Sequence, residues 1–161
     1  MKIVSSSAKG NFKLIAQEKE ICELVYTNWF SEKAYTTLNG NQIEIKPKNI
    51  WTSKVDILKN GQIIGDITFS LKGYMVIRVA HAPKEESNYV LKNKGILKLR
   101  FELFDEGNTH QLTMNSLNNW SKLNYDYTIK TEDYTSTLPL EELAVYCGYA
   151  ANLFLAIMSA V

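Results

Sequence analysis

The chain has 161 residues, of which 45% are hydrophobic and 22% are charged. This composition is that of an ordinary globular protein and excludes wholesale disorder, while the length favours a single domain, 1–161, with one core. The 18 lysines and arginines and the 17 acidic residues give a formal charge of +1. That balance lacks the overall basicity of a nucleic-acid-binding protein, so no nucleic-acid partner is expected.

The N-terminal segment, residues 1–7, contains no apolar stretch long enough for a secretory signal. We therefore expect a cytoplasmic protein. Its two cysteines, Cys22 and Cys147, stand 125 positions apart, one in a β-like segment and one in an apolar helical segment. In a reducing compartment they are expected to be buried free thiols, whereas an oxidising compartment would permit one bridge between them.

From about residue 10 to about residue 131, short β-like segments alternate with turn signals. The clearest strand alternates charged residues with four apolar ones, namely Leu97, Leu99, Phe101 and Leu103. A turn at 105–108 then leads into a segment in which His110, Leu112 and Met114 share a face, which predicts a hairpin. We expect the segment 82–93, which contains Pro83, to be a long surface loop.

A second hairpin is centred on Asn60-Gly61, a dipeptide suited to a two-residue type I′ turn. With that turn, Leu58 faces Ile63 and Ile57 faces Ile64. The further strand candidates are 12–17, 21–28, 34–38, 42–46, 74–80 and 123–129. Ten or more evenly spaced strands predict a sheet that closes into a barrel or folds into a sandwich.

The C-terminal segment predicts a helix over about 139–160. Pro139 suits its first turn, Ser136 or Thr137 could cap it, and two glutamates follow at 141–142. Residues 143–161 contain no charged side chain, so no polar face can be drawn on this helix. A helix that is apolar all round is either enclosed by protein or immersed in lipid.

A length of 19 residues permits a membrane tail anchor, but no lysine or arginine flanks the segment, and Gly148 and Asn152 lie within it. We favour enclosure by the preceding strands. The predicted fold is therefore a mainly β protein, a closed antiparallel β-barrel of about ten to twelve strands wrapped around a buried apolar C-terminal α-helix. A tail-anchored membrane protein with a cytoplasmic β domain is the alternative.

The hairpin 55–67 and the uncharged C-terminal segment 143–161 together resemble the tubby C-terminal-like superfamily, which includes the LURP-one-related proteins and the phospholipid scramblases. The resemblance implies a closed antiparallel barrel around an apolar C-terminal helix. It also implies recognition of membrane lipids through basic surface residues, as in the eukaryotic members. No residue of this chain receives a role from the resemblance.

The sequence contains no pattern typical of catalysis, of a metal site or of a bound cofactor. Its two histidines, His81 and His110, belong to no metal-binding motif, and no phosphate-binding loop or nucleophile elbow occurs. We therefore predict no catalytic residue, no metal and no cofactor, and an enzymatic activity is not expected.

One cluster combines basic and aromatic residues: Lys46, Lys48 and Lys54 surround Trp51. Such a cluster can bind an anionic headgroup, although a solvated loop has the same composition. The first functional hypothesis is a non-enzymatic binding or scaffold module that meets anionic phospholipid or a protein partner on the barrel exterior. A further alternative to the tail anchor is a helix-grip or lipocalin-like carrier or enzyme with a cavity for an apolar ligand.

Overall fold

The computed structural model describes residues 1–27, 32–48, 54–82, 85–95 and 98–160. The described elements are twelve strands and one helix. The strands are β1 (Lys2–Ser5), β2 (Phe12–Ala16), β3 (Lys19–Tyr26), β4 (Ala34–Leu38), β5 (Asn41–Pro47), β6 (Lys54–Lys59), β7 (Gln62–Ser70), β8 (Tyr74–Ala82), β9 (Glu85–Asn93), β10 (Arg100–Asp105), β11 (His110–Asn119) and β12 (Asn124–Lys130). The helix is α1 (Leu140–Ser159).

The strands form a closed barrel in which each pairs antiparallel with its neighbours in sequence, and β12 closes the barrel on β1. The predicted fold class is thus confirmed. Alternate residues of each strand point inward, so the apolar ones face a single core, as Ile43 and Ile45 of β5 do.

Because consecutive strands are antiparallel, the segments that connect them fall alternately at the two ends of the barrel. One end, which we call the lysine-rich end, has the connecting segments 6–11, 27–33, 48–53, 71–73, 94–99 and 120–123. The other, the acidic end, has the segments 17–18, 39–40, 60–61, 83–84, 106–109 and 131–139. Helix α1 begins at the acidic end, and the Nδ2 of Asn152, near its other terminus, donates to the Gly10 carbonyl at the lysine-rich end.

Helix α1 occupies the interior of the barrel. Its residues 142–151 are buried, as are Leu153 and Phe154, whereas Ala156 and the residues from 158 to 160 are exposed. Phe154 packs edge-on against Phe101 of β10, with ring centroids 5.4 Å apart. The uncharged composition of the segment therefore matches its enclosure by protein.

Polar groups on the helix have partners in the barrel. The buried Glu142 accepts from the Lys59 Nζ and from the Tyr146 hydroxyl, both at 2.8 Å. The Tyr149 hydroxyl donates to the Glu32 carbonyl at 2.6 Å. These bonds satisfy polar atoms in a largely apolar interior and fix the position of the helix along the barrel axis.

Gly148 allows a close approach between the helix and the barrel wall. A Cβ atom at this position would lie 2.6 Å from the Phe12 Cζ and 2.9 Å from the Ile3 Cδ1. Strands β1 and β2 can therefore reach the helix only because residue 148 lacks a side chain.

We expect Gly148→Val to lower the free energy of unfolding by about 3 kcal/mol, because overpacking a closed core costs roughly 1–3 kcal/mol and valine also suits a helix poorly. Chemical denaturation measures this loss. Ala156→Leu on the exposed part of the same helix is the matched control and should shift stability by no more than about 0.5 kcal/mol. Equal stability of the two variants would contradict the close approach.

Several local predictions are wrong. Residues 85–93, expected to lie in a long loop, form strand β9, whose Tyr89 and Leu91 are buried. Strand β1 precedes the predicted start of the β region at about residue 10. The helix cap expected at Ser136 or Thr137 is absent, since Pro139 precedes the first helical residue and makes no side-chain cap.

Two β-bulges shift the expected registers. Leu58 does face Ile63, but Ile57 faces Gly65, because the register changes between Ile57 and Leu58. A second irregularity between Leu103 and Phe104 buries Gln111. His110, expected to face inward with Leu112 and Met114, is instead only partly buried, and its Nε2 lies 2.9 Å from the Thr113 Oγ1.

Both cysteines are free and buried, as expected. Burial raises the pKa of the Cys147 thiol far above its ordinary value, and it also raises that of the Cys22 thiol. Because the thiolate is the reactive form, neither residue has the properties of a nucleophile.

Candidate functional site: the lysine-rich end of the barrel

The two ends of the barrel carry opposite charge. The six connecting segments of the lysine-rich end contain seven lysines and one glutamate, a net side-chain charge of +6. Those of the acidic end contain one lysine and four acidic residues, a net of −3. A chain with a formal charge of only +1 is therefore strongly polarised along its barrel axis.

Most of the lysines at the lysine-rich end are available to an external anion. Lys33 pairs with Glu44 at 3.1 Å. Within the described part of the chain, five exposed lysines of this end form no ion pair, namely Lys48, Lys72, Lys94, Lys98 and Lys122. They lie in four different connecting segments, so the positive charge is distributed around much of the barrel rim.

Large apolar side chains are exposed at the same end. Among the described residues, six such side chains are more than half exposed, and five of them lie at or near the lysine-rich end: Leu71, Leu117, Trp120, Leu123 and Met158. The sixth, Ile63, lies at the acidic end. These apolar side chains therefore lie at the same end of the barrel as the exposed lysines.

The turn between β11 and β12 presents the most exposed pair in one hairpin, with Trp120 79% and Leu123 81% accessible. Leu123 has φ +51°, and it is the only apolar residue with positive φ among the described non-glycine residues. Asparagines occupy three of the other such positions, as expected for the left-handed region. A leucine here costs backbone strain and leaves an apolar side chain exposed to water.

The predicted basic cluster is partly assembled. Lys46 and Lys54 lie on the outer face of β5 and β6 near the lysine-rich end, and Lys48 directly follows β5; its N–H donates to the Lys54 carbonyl at 3.0 Å. Lys46 lies 3.7 Å from the Glu44 carboxylate. Trp51, predicted to complete the cluster, lies outside the described residues.

Lys54 belongs to an ion network on the barrel wall. Its Nζ lies 3.0 Å from Asp66, which also accepts a bidentate pair of hydrogen bonds from the Arg78 guanidinium. Burial by itself would raise the pKa of Asp66, but the bonds from Arg78 and Lys54 outweigh it and hold the pKa below its ordinary value. Of the three predicted lysines, Lys48 is thus the one most available to a ligand.

Sequence reasoning missed the other exposed lysines of this end, because they are far apart along the chain and converge only when the barrel closes. The composition of the connecting segments could nevertheless have indicated these lysines. In an up-and-down barrel every second turn lies at the same end, and alternate connecting segments of this chain differ in charge and in apolar content.

Two depressions open at this end beside the helix terminus. One, of about 480 Å³, lies between the segment after β9 and the ends of β11 and β12. The other, of about 440 Å³, lies between the last turns of α1, the segment 6–11 and the start of β12. Tyr125 lines both.

The histidines do not assemble a reactive centre with other described titratable groups. The His81 Nε2 lies 2.7 Å from the Ser87 Oγ and 3.2 Å from the Thr137 Oγ1, on the exposed surface near the acidic end. These contacts connect β8, β9 and the segment before the helix. No group of three or more potential metal ligands occurs among the described residues.

Helix α1 is also long and apolar enough to cross a bilayer, with a mean hydropathy of 1.3, and 67% of its most apolar stretch is buried in the barrel. If the helix crossed a bilayer, residues 142–154 would have to leave the barrel. The inward-facing apolar residues of twelve strands would then lose their packing partners.

Comparison of the chain with protein-family models, with curated proteins and with solved structures gave no match. The similarity to the tubby C-terminal-like superfamily therefore stays a prediction, and any function has to be inferred from the chemistry of the site.

Proposed function

We propose that the protein is a non-enzymatic module that attaches to the surface of an anionic phospholipid membrane through the lysine-rich end of its barrel. The proposal rests above all on the coincidence, at one end, of exposed lysines that lack ion pairs with large exposed apolar side chains. A bilayer interface offers partners to both, because anionic headgroups attract lysines and the interfacial region accepts tryptophan and leucine.

The expected energies are sufficient for reversible attachment. Each lysine near an anionic bilayer contributes about 1 kcal/mol, and partial insertion of Trp120 and Leu123 adds roughly 1–2 kcal/mol each. Five exposed lysines and two apolar side chains thus contribute about 7–9 kcal/mol together, which corresponds to the micromolar range before the cost of immobilisation is subtracted. The acidic end would face away from the membrane, with the helix axis close to the bilayer normal.

A protein partner with an acidic, apolar surface would satisfy the same groups. The membrane is favoured because the charges and apolar residues lie on separate hairpin tips around a rim, a distribution that suits a laterally uniform surface. A lipocalin-like carrier has less support, since the helix fills the interior that an enclosed ligand would need.

The test is co-sedimentation of the full chain with vesicles of phosphatidylcholine alone or with 30% phosphatidylserine added. We expect binding only to the anionic vesicles, and a loss of at least tenfold in affinity between about 0.05 and 0.5 M salt, because counterions screen the lysines. Equal binding to the two vesicle types would contradict the proposal.

Replacement of Leu123 should raise the stability of the fold and lower the affinity for vesicles. We expect Leu123→Asn to raise the free energy of unfolding by about 0.5–1 kcal/mol, because asparagine tolerates positive φ better than leucine. The same change should weaken binding to anionic vesicles about fivefold, since it removes one inserted apolar group.

Ile63→Asn, at the acidic end, is the matched control. It removes an equally exposed apolar side chain and should leave vesicle affinity unchanged. A vesicle affinity of Leu123→Asn equal to that of the parent chain would remove the β11–β12 hairpin from the membrane contact.

A further inference from the structure

The two depressions at the lysine-rich end differ in chemistry. The larger one is lined mainly by polar groups, among them Asn93, Lys98, Ser116 and Asn118. Lys98 is exposed and forms no ion pair in the described part of the chain, and the Asn118 amide has no hydrogen-bond partner there. No acidic residue is among those lining this depression. Free donors without a competing carboxylate suit an anionic oxygen ligand.

The second depression is more apolar than the first. Leu123, Leu155 and Ala156 line one part of it and Lys9, Asn152 and Ser159 another, and Leu155 and Tyr125 also pack against the protein core. Its wall is the part of α1 that the barrel leaves partly uncovered. A partly apolar cleft beside a polar one suits a ligand with a charged head and a hydrocarbon tail.

A smaller depression shares residues with both. It has a volume of about 210 Å³, is lined by Trp120 among others, and shares Asn118 and Tyr125 with the polar depression and Leu123 and Tyr125 with the more apolar one. Because all three share Tyr125, we refer to them together as the track. Each of the two larger depressions is within the volume range of small-molecule sites.

We infer that this track binds one anionic phospholipid molecule, with the headgroup phosphate against Lys98 and Asn118 and one acyl chain along Leu123, Leu155 and Ala156. The inference rests on the proposed function for its orientation toward a membrane. It adds a defined site to a general surface attachment. The protein would hold a single lipid partly withdrawn from the bilayer plane.

Single-chain lipids below their critical micelle concentration test the site without a bilayer. The full chain is titrated in a calorimeter with lysophosphatidylglycerol, with lysophosphatidylcholine, and with glycerophosphoglycerol, which has the headgroup but no acyl chain. We expect the first to bind at least tenfold more tightly than either of the other two, because the choline cation of lysophosphatidylcholine cancels the net charge that attracts the headgroup to Lys98 and glycerophosphoglycerol has no acyl chain.

Two variants test the polar and the apolar parts of the track separately. Lys98→Gln should weaken lysophosphatidylglycerol binding about tenfold, the usual effect of removing one charge-assisted hydrogen bond. Ala156→Trp should reduce it by at least as much by filling the apolar cleft, and since Ala156 is exposed the variant should fold. Ser159→Trp, in the same cleft, serves if Ala156→Trp proves unstable. Lys130→Gln, at the acidic end, is the control.

The outcomes distinguish this site from the proposed membrane attachment. If Ala156→Trp loses lysophosphatidylglycerol but keeps vesicle binding, both inferences are supported. If wild type binds vesicles but shows no preference for lysophosphatidylglycerol, or if neither track variant weakens its binding, the lipid site is overturned and attachment stands. If monomeric lipid binds and anionic vesicles do not, attachment is overturned and the site stands.

Discussion

Deletion of residues 143–161 is expected to abolish folding of the barrel. Burying a large apolar side chain stabilises a protein by about 1.5–3 kcal/mol, and six such side chains of the helix are buried in the barrel. They are Leu143, Val145, Tyr146, Tyr149, Leu153 and Phe154. Their combined contribution reaches or exceeds the whole net stability of a typical domain, about 5–15 kcal/mol. The strands would also surround a space that nothing fills.

Circular dichroism and size-exclusion chromatography check this result, with the truncated chain expected to be unfolded or aggregated. Deletion of residues 158–161 is the control. Residues 158–160 are exposed, so this shorter truncation should retain the fold and lose less than about 1 kcal/mol of stability. A folded, monomeric barrel without residues 143–161 would show that the helix is an accessory and not the core.

Neutralising lysines at one end should weaken membrane attachment far more than neutralising the same number at the other. Replacement of Lys72, Lys94 and Lys122 by glutamine removes three exposed charges from the lysine-rich end. At about 1 kcal/mol for each lysine near an anionic surface, affinity for vesicles containing phosphatidylserine should fall about a hundredfold. Co-sedimentation at low salt measures the change.

The matched control replaces Lys2, Lys19 and Lys130, which are exposed near the acidic end. This triple variant has the same net charge as the first, and it should bind vesicles within about twofold of the parent chain. Similar losses in the two variants would mean that net charge alone governs binding, and the proposed orientation would be wrong. Thermal melts should show both variants folded, because exposed lysines contribute little to stability.

The sequence predicted the elements whose signals are local. Uncharged residues from 143 onward permit only an enclosed or lipid-embedded helix, and alternation around Phe101 and Leu103 permits only a half-buried strand. Where the pattern was interrupted, prediction was wrong. Pro83 suggested a loop through residues 82–93, yet β9 begins two positions later at Glu85, because pairing on both sides with β8 and β10 outweighs local propensity.

The pairing registers of the strands could not be predicted from local sequence either. A bulge such as the one between Ile57 and Leu58 adds a residue to one strand only, and the hydrophobic pattern of a single strand does not show how it pairs with the next. The same applies to the inward position of Gln111 and the outward shift of His110.

In the candidate site, too, some residues could be predicted from local sequence and others are brought together only by the fold. Lys46, Lys48 and Lys54 were found because they are close in sequence, but the fold pairs Lys46 and Lys54 with carboxylates that no local pattern indicated. Lys72, Lys98 and Trp120 lie on separate hairpins. Only strand order brings them to one end of the molecule.

The sequence by itself therefore determined the class of fold and the nature of its core, since hydrophobic periodicity and the absence of charge follow directly from the residues present. The tertiary structure alone decided which turns share an end, which lysines are paired and where the depressions open. These properties depend on contacts between residues that are distant along the chain, and closure of the barrel fixes all of them together.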